Sequence, residues 1–99
     1  MHARTMTRPP TTPGEILREE FLKPLGLTQR QLADHIGMEQ KQINRVVNGR
    51  SAVTAEMALR LGAALQTSPE FWLNAQKAVD LYQARKNVGR LPQPMRVAG

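Results

Sequence analysis

The chain has 99 residues, 14 of them Lys or Arg and 8 of them Asp or Glu, so its formal net charge is +6 at pH 7. A chain of this length forms one small domain, and its positive charge favours an acidic partner such as nucleic acid. The absence of cysteine excludes a disulfide framework and a zinc finger, and no apolar run reaches the roughly 18–20 residues that span a bilayer.

Residues 1–11 contain two arginines and two prolines without apolar periodicity, and we expect them to form a disordered arm. The arm lacks the apolar segment of a signal peptide, so we expect a cytoplasmic protein. Translation from Met1 and translation from Met6 both fit the sequence.

A first helix is predicted to begin after Thr12, which forms a capping box with Glu15. Its core-facing residues follow at a spacing of four: Leu17, Phe21 and Leu25. Pro24 and Gly26 are expected to kink or end this helix, because proline interrupts helical hydrogen bonding and glycine favours helix ends.

The segment Gln29–Asn48 has the pattern of a helix-turn-helix, in which two short helices cross around a tight turn. Seven positions carry the residue types that this motif requires: Leu32, Ala33, Ile36, Gly37, Met38, Ile43 and Val46. Ala33 is small enough for the second helix to approach closely, and Gly37 can adopt the positive φ that the turn needs. Thr28 is predicted to cap the first of the two helices.

The exposed face of the second helix is polar. Gln and Asn side chains pair with adenine, and Arg and Lys side chains pair with guanine, so these residue types suit base recognition. A solvated polar face is the alternative, but its position in a matched helix-turn-helix favours DNA. We predict base contacts from five residues: Gln40, Lys41, Gln42, Asn44 and Arg45.

Contacts to DNA phosphates are predicted around the same helix. Residues 28–51 hold four basic and two acidic side chains, a net charge of +2 that suits a phosphate backbone. The phosphate contacts predicted from this segment are Arg30, Asn48, Arg50 and Ser51. Two roles are open to Glu39, which precedes the second helix: it caps the helix, or it accepts a hydrogen bond from cytosine.

Two further helices follow. Thr54 is predicted to cap a helix whose buried residues are Ala58, Leu61 and Leu65. Gly62 destabilises that helix by about 1 kcal/mol relative to alanine, unless a neighbouring segment packs closely against it. Ser68 and Pro69 begin a last helix, which we place from about residue 69 to residue 86.

The last helix carries three of the four aromatic residues of the chain. We expect Phe71 and Trp72 in the core, and we predict a dimer interface at Val79, Leu81 and Tyr82. The predicted domain therefore spans residues 12–86, and residues 87–99 are expected to form a flexible tail.

The sequence offers no set of catalytic residues. His2 and His35 are its two histidines, and neither a Ser-His-Asp set nor a phosphate-binding glycine loop is present. We therefore expect no enzyme activity, no metal and no cofactor.

Four segments together resemble the HigA/VapI antitoxins within the Xre/Cro/cI helix-turn-helix class: Pro13–Gly37, Ile43–Arg50, Thr54–Leu65 and Ser68–Gln76. The most specific parts are PGEIL at the start of the first segment and SPEFWLNAQ, which is the fourth. The resemblance implies an all-α, five-helix lambda-repressor-like DNA-binding domain with a C-terminal dimerisation helix. It also implies that Gln40, Lys41, Gln42 and Arg45 read bases and that Gln29 contacts a phosphate.

The same resemblance implies partners. A homodimer is expected to bind a palindromic operator of double-stranded DNA in its own promoter. A HigB toxin, an mRNA-cleaving ribonuclease of the RelE type, is expected to be bound and silenced. One alternative is a solitary Xre-type repressor without a toxin. A second is a protein-interaction module, against which the basic residues Lys41, Arg45 and Arg50 argue.

Overall fold

A computed structural model of the chain describes residues 8–96, which form five helices and no strand. The first, α1, spans residues 13–25 as three continuous segments: Pro13–Ile16, Leu17–Leu22 and Lys23–Leu25. The others are α2 (Gln29–Ile36), α3 (Gln40–Val47), α4 (Ala55–Leu65) and α5 (Pro69–Val88). The predicted all-α, five-helix architecture is confirmed. Most of the expected N-terminal arm and the last three residues of the expected tail lie outside the described residues.

Four helices begin with hydroxyl caps, as the sequence predicts. In each, the side-chain oxygen accepts a hydrogen bond from the backbone N–H three residues further on, at 3.0 to 3.2 Å: Thr12, Thr28, Thr54 and Ser68. These bonds satisfy N–H groups that have no partner within the helix, so the helix starts are determined locally.

Helix α1 is irregular in its middle. Leu17–Leu22 is π-helical, and the N–H of Lys23 donates to the carbonyl of Arg18, five residues earlier. Pro24 follows, and its ring would clash with the carbonyl four residues before it in a regular α-helix. Because regular α-helical bonding is already interrupted over these turns, the helix continues through Pro24 and ends at Leu25, with Gly26 as its C-cap.

The core lies where the helices meet. Its largest fully buried side chains come from α1, α3, α4 and α5: Leu17, Ile43, Leu61 and Trp72. Each buries enough apolar surface to contribute about 1.5–3 kcal/mol. The Nε1–H of Trp72 donates to Thr67 Oγ1 at 2.7 Å, so the one polar group of this side chain is satisfied although it is buried. Residues of the helix-turn-helix are therefore part of the main core.

One expectation about the side chains of α5 is wrong. Trp72 is buried as expected, but Phe71 is 39% exposed and stands edge-on against Trp72, with 5.0 Å between the ring centroids. Successive residues of a helix point about 100° apart, so Trp72 takes the inward position and Phe71 lies at the rim of the core. The helix ends at Val88, close to the expected end at about residue 86, and residues 89–96 follow without regular structure.

Candidate nucleic-acid interface

Helices α2 and α3 form the predicted helix-turn-helix. Gly37 has a φ of +73° between them, as the tight turn requires. The apolar residues of both helices point into the core, and all six are buried: Leu32, Ala33, Ile36, Ile43, Val46 and Val47. The two helices and the turn between them occupy residues 29–47. The polar face of α3 consequently faces outward.

All five predicted base-contact residues are exposed on α3: Gln40, Lys41, Gln42, Asn44 and Arg45. Of the predicted phosphate contacts, Arg30, Asn48 and Arg50 are exposed, while Gln29 and Ser51 are half-buried. Hydrogen bonds connect α3 to the start of α2 on one side and to the following loop on the other. The structure thus joins three separate stretches of sequence around one polar helix face.

The start of α3 is stabilised by one of the predicted base readers. Glu39 occupies the N-cap position with extended backbone, and its N–H donates to Oε1 of Gln42 at 3.0 Å. The Gln42 oxygen is therefore engaged within the protein, and its amide nitrogen remains for an outside acceptor. Sequence spacing alone did not predict this second role of Gln42.

A chain of carboxamides joins the two helices. Asn48 Nδ2 donates to Asn44 Oδ1 at 3.2 Å, and Asn44 Nδ2 donates to Gln29 Oε1 at 3.1 Å. Gln29 is the first residue of α2, so this chain runs from the end of α3 to the start of α2. We call these three residues the amide chain.

Arg45 is held by the loop that follows α3. Its Nε donates to Ser51 Oγ at 3.0 Å, and its carbonyl accepts from the N–H of Arg50 at 2.7 Å. The loop is itself tied to α5, because the N–H of Val53 donates to Gln76 Oε1 at 3.0 Å. The guanidinium of Arg45 therefore stands in a defined place beside the predicted phosphate contacts.

Two supporting residues were missed in the sequence. Arg60 of α4 donates from Nη1 to the carbonyl of Ile36 at 2.6 Å and forms an ion pair with Glu56, so it binds the last residue of α2 just before the turn. Gly14 of α1 lies against the end of α3: a Cβ there would be 2.6 Å from the carbonyl oxygen of Val47. For Gly14, the available signal was a glycine in a helical segment where alanine has the higher propensity.

The three predicted dimer residues do not share one face of α5. Val79 lines a cleft of about 270 Å³ between α5, the start of α1 and the loop after α3. Leu81 is 43% exposed and lines an apolar groove with Val88 and Leu91. Tyr82 is half-buried, and the Nζ of Lys86 lies 5.5 Å from its ring centroid. Around the helix axis, Tyr82 points about 60° from Val79 but about 100° from Leu81, so Tyr82 shares a face with Val79 and not with Leu81.

Other site types find no support in the part of the chain that the structure describes. Residues 8–96 hold no group of three or more His, Cys, Asp or Glu side chains placed to bind a metal ion. Within the same range, no helix has the length and hydropathy needed to cross a membrane.

Comparison with known proteins identifies the family. Residues 18–72 match the family described as Helix-turn-helix, which is more than half of the chain. The chain belongs to the helix-turn-helix family. This helix-turn-helix protein is 44% identical over 82 residues to antitoxin HigA-1 of Vibrio cholerae serotype O1, covering 83% of this chain and 77% of that one. An uncharacterised HTH-type transcriptional regulator of Haemophilus influenzae is 45% identical over 82 residues, with the same coverage of both chains.

A solved structure extends the comparison. The antitoxin GraA in complex with its operator is 40% identical in sequence to this helix-turn-helix protein, with a TM-score of 0.81. The match covers 96% of this chain and 100% of GraA. The predicted resemblance to HigA-type antitoxins and the lambda-repressor-like fold are both confirmed.

Proposed function

We propose that this protein is a sequence-specific DNA-binding antitoxin that represses its own operon. The observation that carries the proposal is the two-sided α3: Ile43, Val46 and Val47 anchor it in the core, and its other face presents amides and cations. The similarity to an antitoxin solved with its operator, over nearly the whole chain, supports the same function.

In the proposed mechanism, α3 enters the major groove. Gln40, Lys41 and Arg45 then face base edges, where each good bidentate contact discriminates by about 1–3 kcal/mol. Gln42 contributes a single contact from its amide nitrogen, because its oxygen accepts from the N–H of Glu39. Basic side chains beside α3, including Arg30 and Arg50, neutralise phosphates and supply the affinity that depends on salt. The protein acts as a binding protein and not as an enzyme, in the cytoplasm where the operator DNA lies.

We propose that two subunits bind a palindromic operator as a homodimer, with the two α3 helices ~34 Å apart in successive major grooves. The C-terminal half of α5 supports this, because Leu81 and Val88 are 43% and 52% exposed and lie two helical turns apart on one side. Leu81→Glu is expected to yield monomers in sedimentation velocity, since a carboxylate would be desolvated in the interface. Gln83→Glu adds the same charge at another exposed position of α5 and is expected to leave the dimer intact.

Leu81→Glu and Tyr82→Glu together test which face of α5 forms the dimer interface. A dimer mass for Leu81→Glu would contradict the Leu81 face. Tyr82→Glu then examines the other predicted face, which includes Val79. If both variants keep the dimer mass, the interface lies elsewhere on the chain.

We further propose that the protein neutralises a HigB toxin, an mRNA-cleaving ribonuclease of the RelE type. The similarity to antitoxin HigA-1 supports this partner. The second candidate is a solitary transcriptional repressor, and the similarity to an uncharacterised HTH-type transcriptional regulator favours it. A neighbouring reading frame for a small basic RelE-like protein, whose toxicity is relieved by co-expression of this chain, would support the antitoxin over the solitary repressor.

The first experiment measures affinity for the DNA upstream of the protein's own reading frame. Fluorescence anisotropy at several salt concentrations measures the affinity for this DNA and for a scrambled duplex of the same composition. We expect a preference of ~10³-fold or more and a steep fall in affinity with salt. Equal weak binding to both duplexes would contradict autorepression by this protein alone.

The same assay tests base recognition by Gln42. Gln42→Ala is expected to reduce operator affinity more than affinity for scrambled DNA. The lost bond to the Glu39 N–H weakens the start of α3 and acts on both duplexes, whereas the lost base contact acts on the operator alone. Arg30→Ala is the matched control, and we expect it to weaken binding to both duplexes similarly. An equal loss of both affinities in Gln42→Ala would contradict a base-reading role.

A further inference from the structure

We propose that Asn44 is a positioning residue that orients the Gln29 side chain toward a DNA phosphate, instead of reading a base itself. The inference rests on the proposed function, since it assigns roles within the DNA-binding surface. It replaces the base contact expected of Asn44 from its residue type alone.

The amide chain has one direction. Asn48 donates to Asn44, and Asn44 in turn donates to Gln29, with donor–acceptor distances of 3.2 and 3.1 Å. A carboxamide has an acceptor oxygen and a donor nitrogen. The Gln29 oxygen accepts from Asn44, so the Gln29 nitrogen is the group left to donate to a phosphate.

That orientation matters for phosphate binding. A phosphate oxygen accepts hydrogen bonds, so it is bound by the Gln29 nitrogen and repelled by the Gln29 oxygen. Without Asn44, the carboxamide is free to rotate, and both orientations are populated. Asn44 therefore improves phosphate binding through Gln29 without touching DNA.

The same bonds argue against base reading by Asn44. Its oxygen accepts from Asn48 and its nitrogen donates to Gln29, so both ends of its carboxamide are held within the protein. A bidentate contact with adenine uses the oxygen and the nitrogen together. Asn44 also has a shorter side chain than Gln40 and Arg45, which are on the same helix and are exposed.

The test compares Asn44→Ala, Gln29→Ala and the double variant on operator DNA, on scrambled DNA and on operators with single base-pair changes. We expect Asn44→Ala to weaken binding to operator and scrambled DNA by the same factor. That factor is about tenfold, because the phosphate contact of Gln29 is weakened in both subunits of the dimer. The ranking of the changed operators is expected to stay as in the wild type. The double variant is expected to lose no more affinity than Gln29→Ala.

Two outcomes would overturn the proposal. One is a loss of preference at a single operator base pair in Asn44→Ala, which a base reader would cause. The other is multiplicative losses in the double variant, which would mean that the two residues act independently. Circular dichroism confirms that each variant is folded before its affinity is interpreted.

A measurement on the free protein separates this inference from the proposed function. In ¹⁵N spectra, Asn44→Ala is expected to shift the side-chain amide signals of Gln29 and to leave those of Gln31 in place. Gln31 is the control because its Oε1 accepts from the N–H of Thr28 and does not contact the amide chain. Unchanged Gln29 signals would refute the orienting role even if the operator is bound. A wild-type protein that binds operator and scrambled DNA equally would refute the proposed function. The Gln29 signals would still show whether Asn44 orients the Gln29 side chain.

Discussion

Replacing Gly14 by alanine is expected to destabilise the protein by disturbing the support of α3. Gly14 is buried in the first turn of α1, where a Cβ would lie 2.6 Å from the carbonyl oxygen of Val47 and 2.8 Å from its Cα. The carbonyl oxygen of Val46 would be closer still. Favourable contacts between carbon atoms lie at about 3.5–4.0 Å, so α1 and α3 must separate by roughly 1 Å. Both neighbours are backbone, which cannot rotate away as a side chain can.

The magnitude follows from two opposing terms. Overpacking of this kind destabilises by about 1–3 kcal/mol, and the higher helix propensity of alanine offsets up to about 1 kcal/mol. A net loss of about 1–2 kcal/mol is a substantial part of the roughly 5–15 kcal/mol expected for a domain. For a chain of this size, the midpoint of thermal unfolding should fall by about 5–15 °C.

Thermal and urea unfolding, followed by circular dichroism at 222 nm, measure this loss. Glu20→Ala is the control, because Glu20 is exposed on the same helix and its replacement should change stability by less than about 0.5 kcal/mol. A Gly14→Ala protein as stable as the wild type would refute the close packing of α1 on α3. Operator affinity measured below the unfolding range should also fall, because the end of α3 is displaced.

Two further predictions concern contacts that hold the core and the turn. Trp72→Phe removes the bond to Thr67 and leaves a space in the core. The free energy of unfolding in urea should therefore fall by about 2–3 kcal/mol. An unchanged urea midpoint would contradict the burial of the indole. Arg60→Met keeps the length of the side chain but removes the bond to the carbonyl of Ile36, so the free energy of unfolding should fall by about 1–2 kcal/mol. The control is Lys77→Met at an exposed position of α5, which should have little effect on stability.

Features that depend on neighbouring residues in sequence were predictable. Thr12, Thr28, Thr54 and Ser68 cap helices where the sequence places them, because a cap joins residues only three apart. The helix-turn-helix was likewise predictable, since its apolar spacing and Gly37 are local properties. These signals also indicated which face of α3 is exposed, and hence which residues are candidates for DNA contact.

Contacts between distant segments were not predictable from local patterns. Whether Phe71 or Trp72 enters the core depends on the position of α1, which packs against both through Phe21. From the sequence, Gly62 could either destabilise its helix or allow a neighbouring segment to pack closely. The structure brings the chain between α4 and α5 against it, so that a Cβ there would lie 2.8 Å from the carbonyl oxygen of Thr67.

The roles of individual polar residues required the tertiary structure for the same reason. Asn44 and Gln29 are 15 residues apart and meet only because α2 and α3 cross. Arg60 reaches Ile36 across 24 residues because α4 packs behind the turn. Residue types and their spacing thus determined the helices, the motif and its exposed face. The packing of the helices decided which exposed amides and cations form hydrogen bonds within the protein and which are presented to DNA. Those bonds depend on distances between segments, and sequence periodicity does not give these distances.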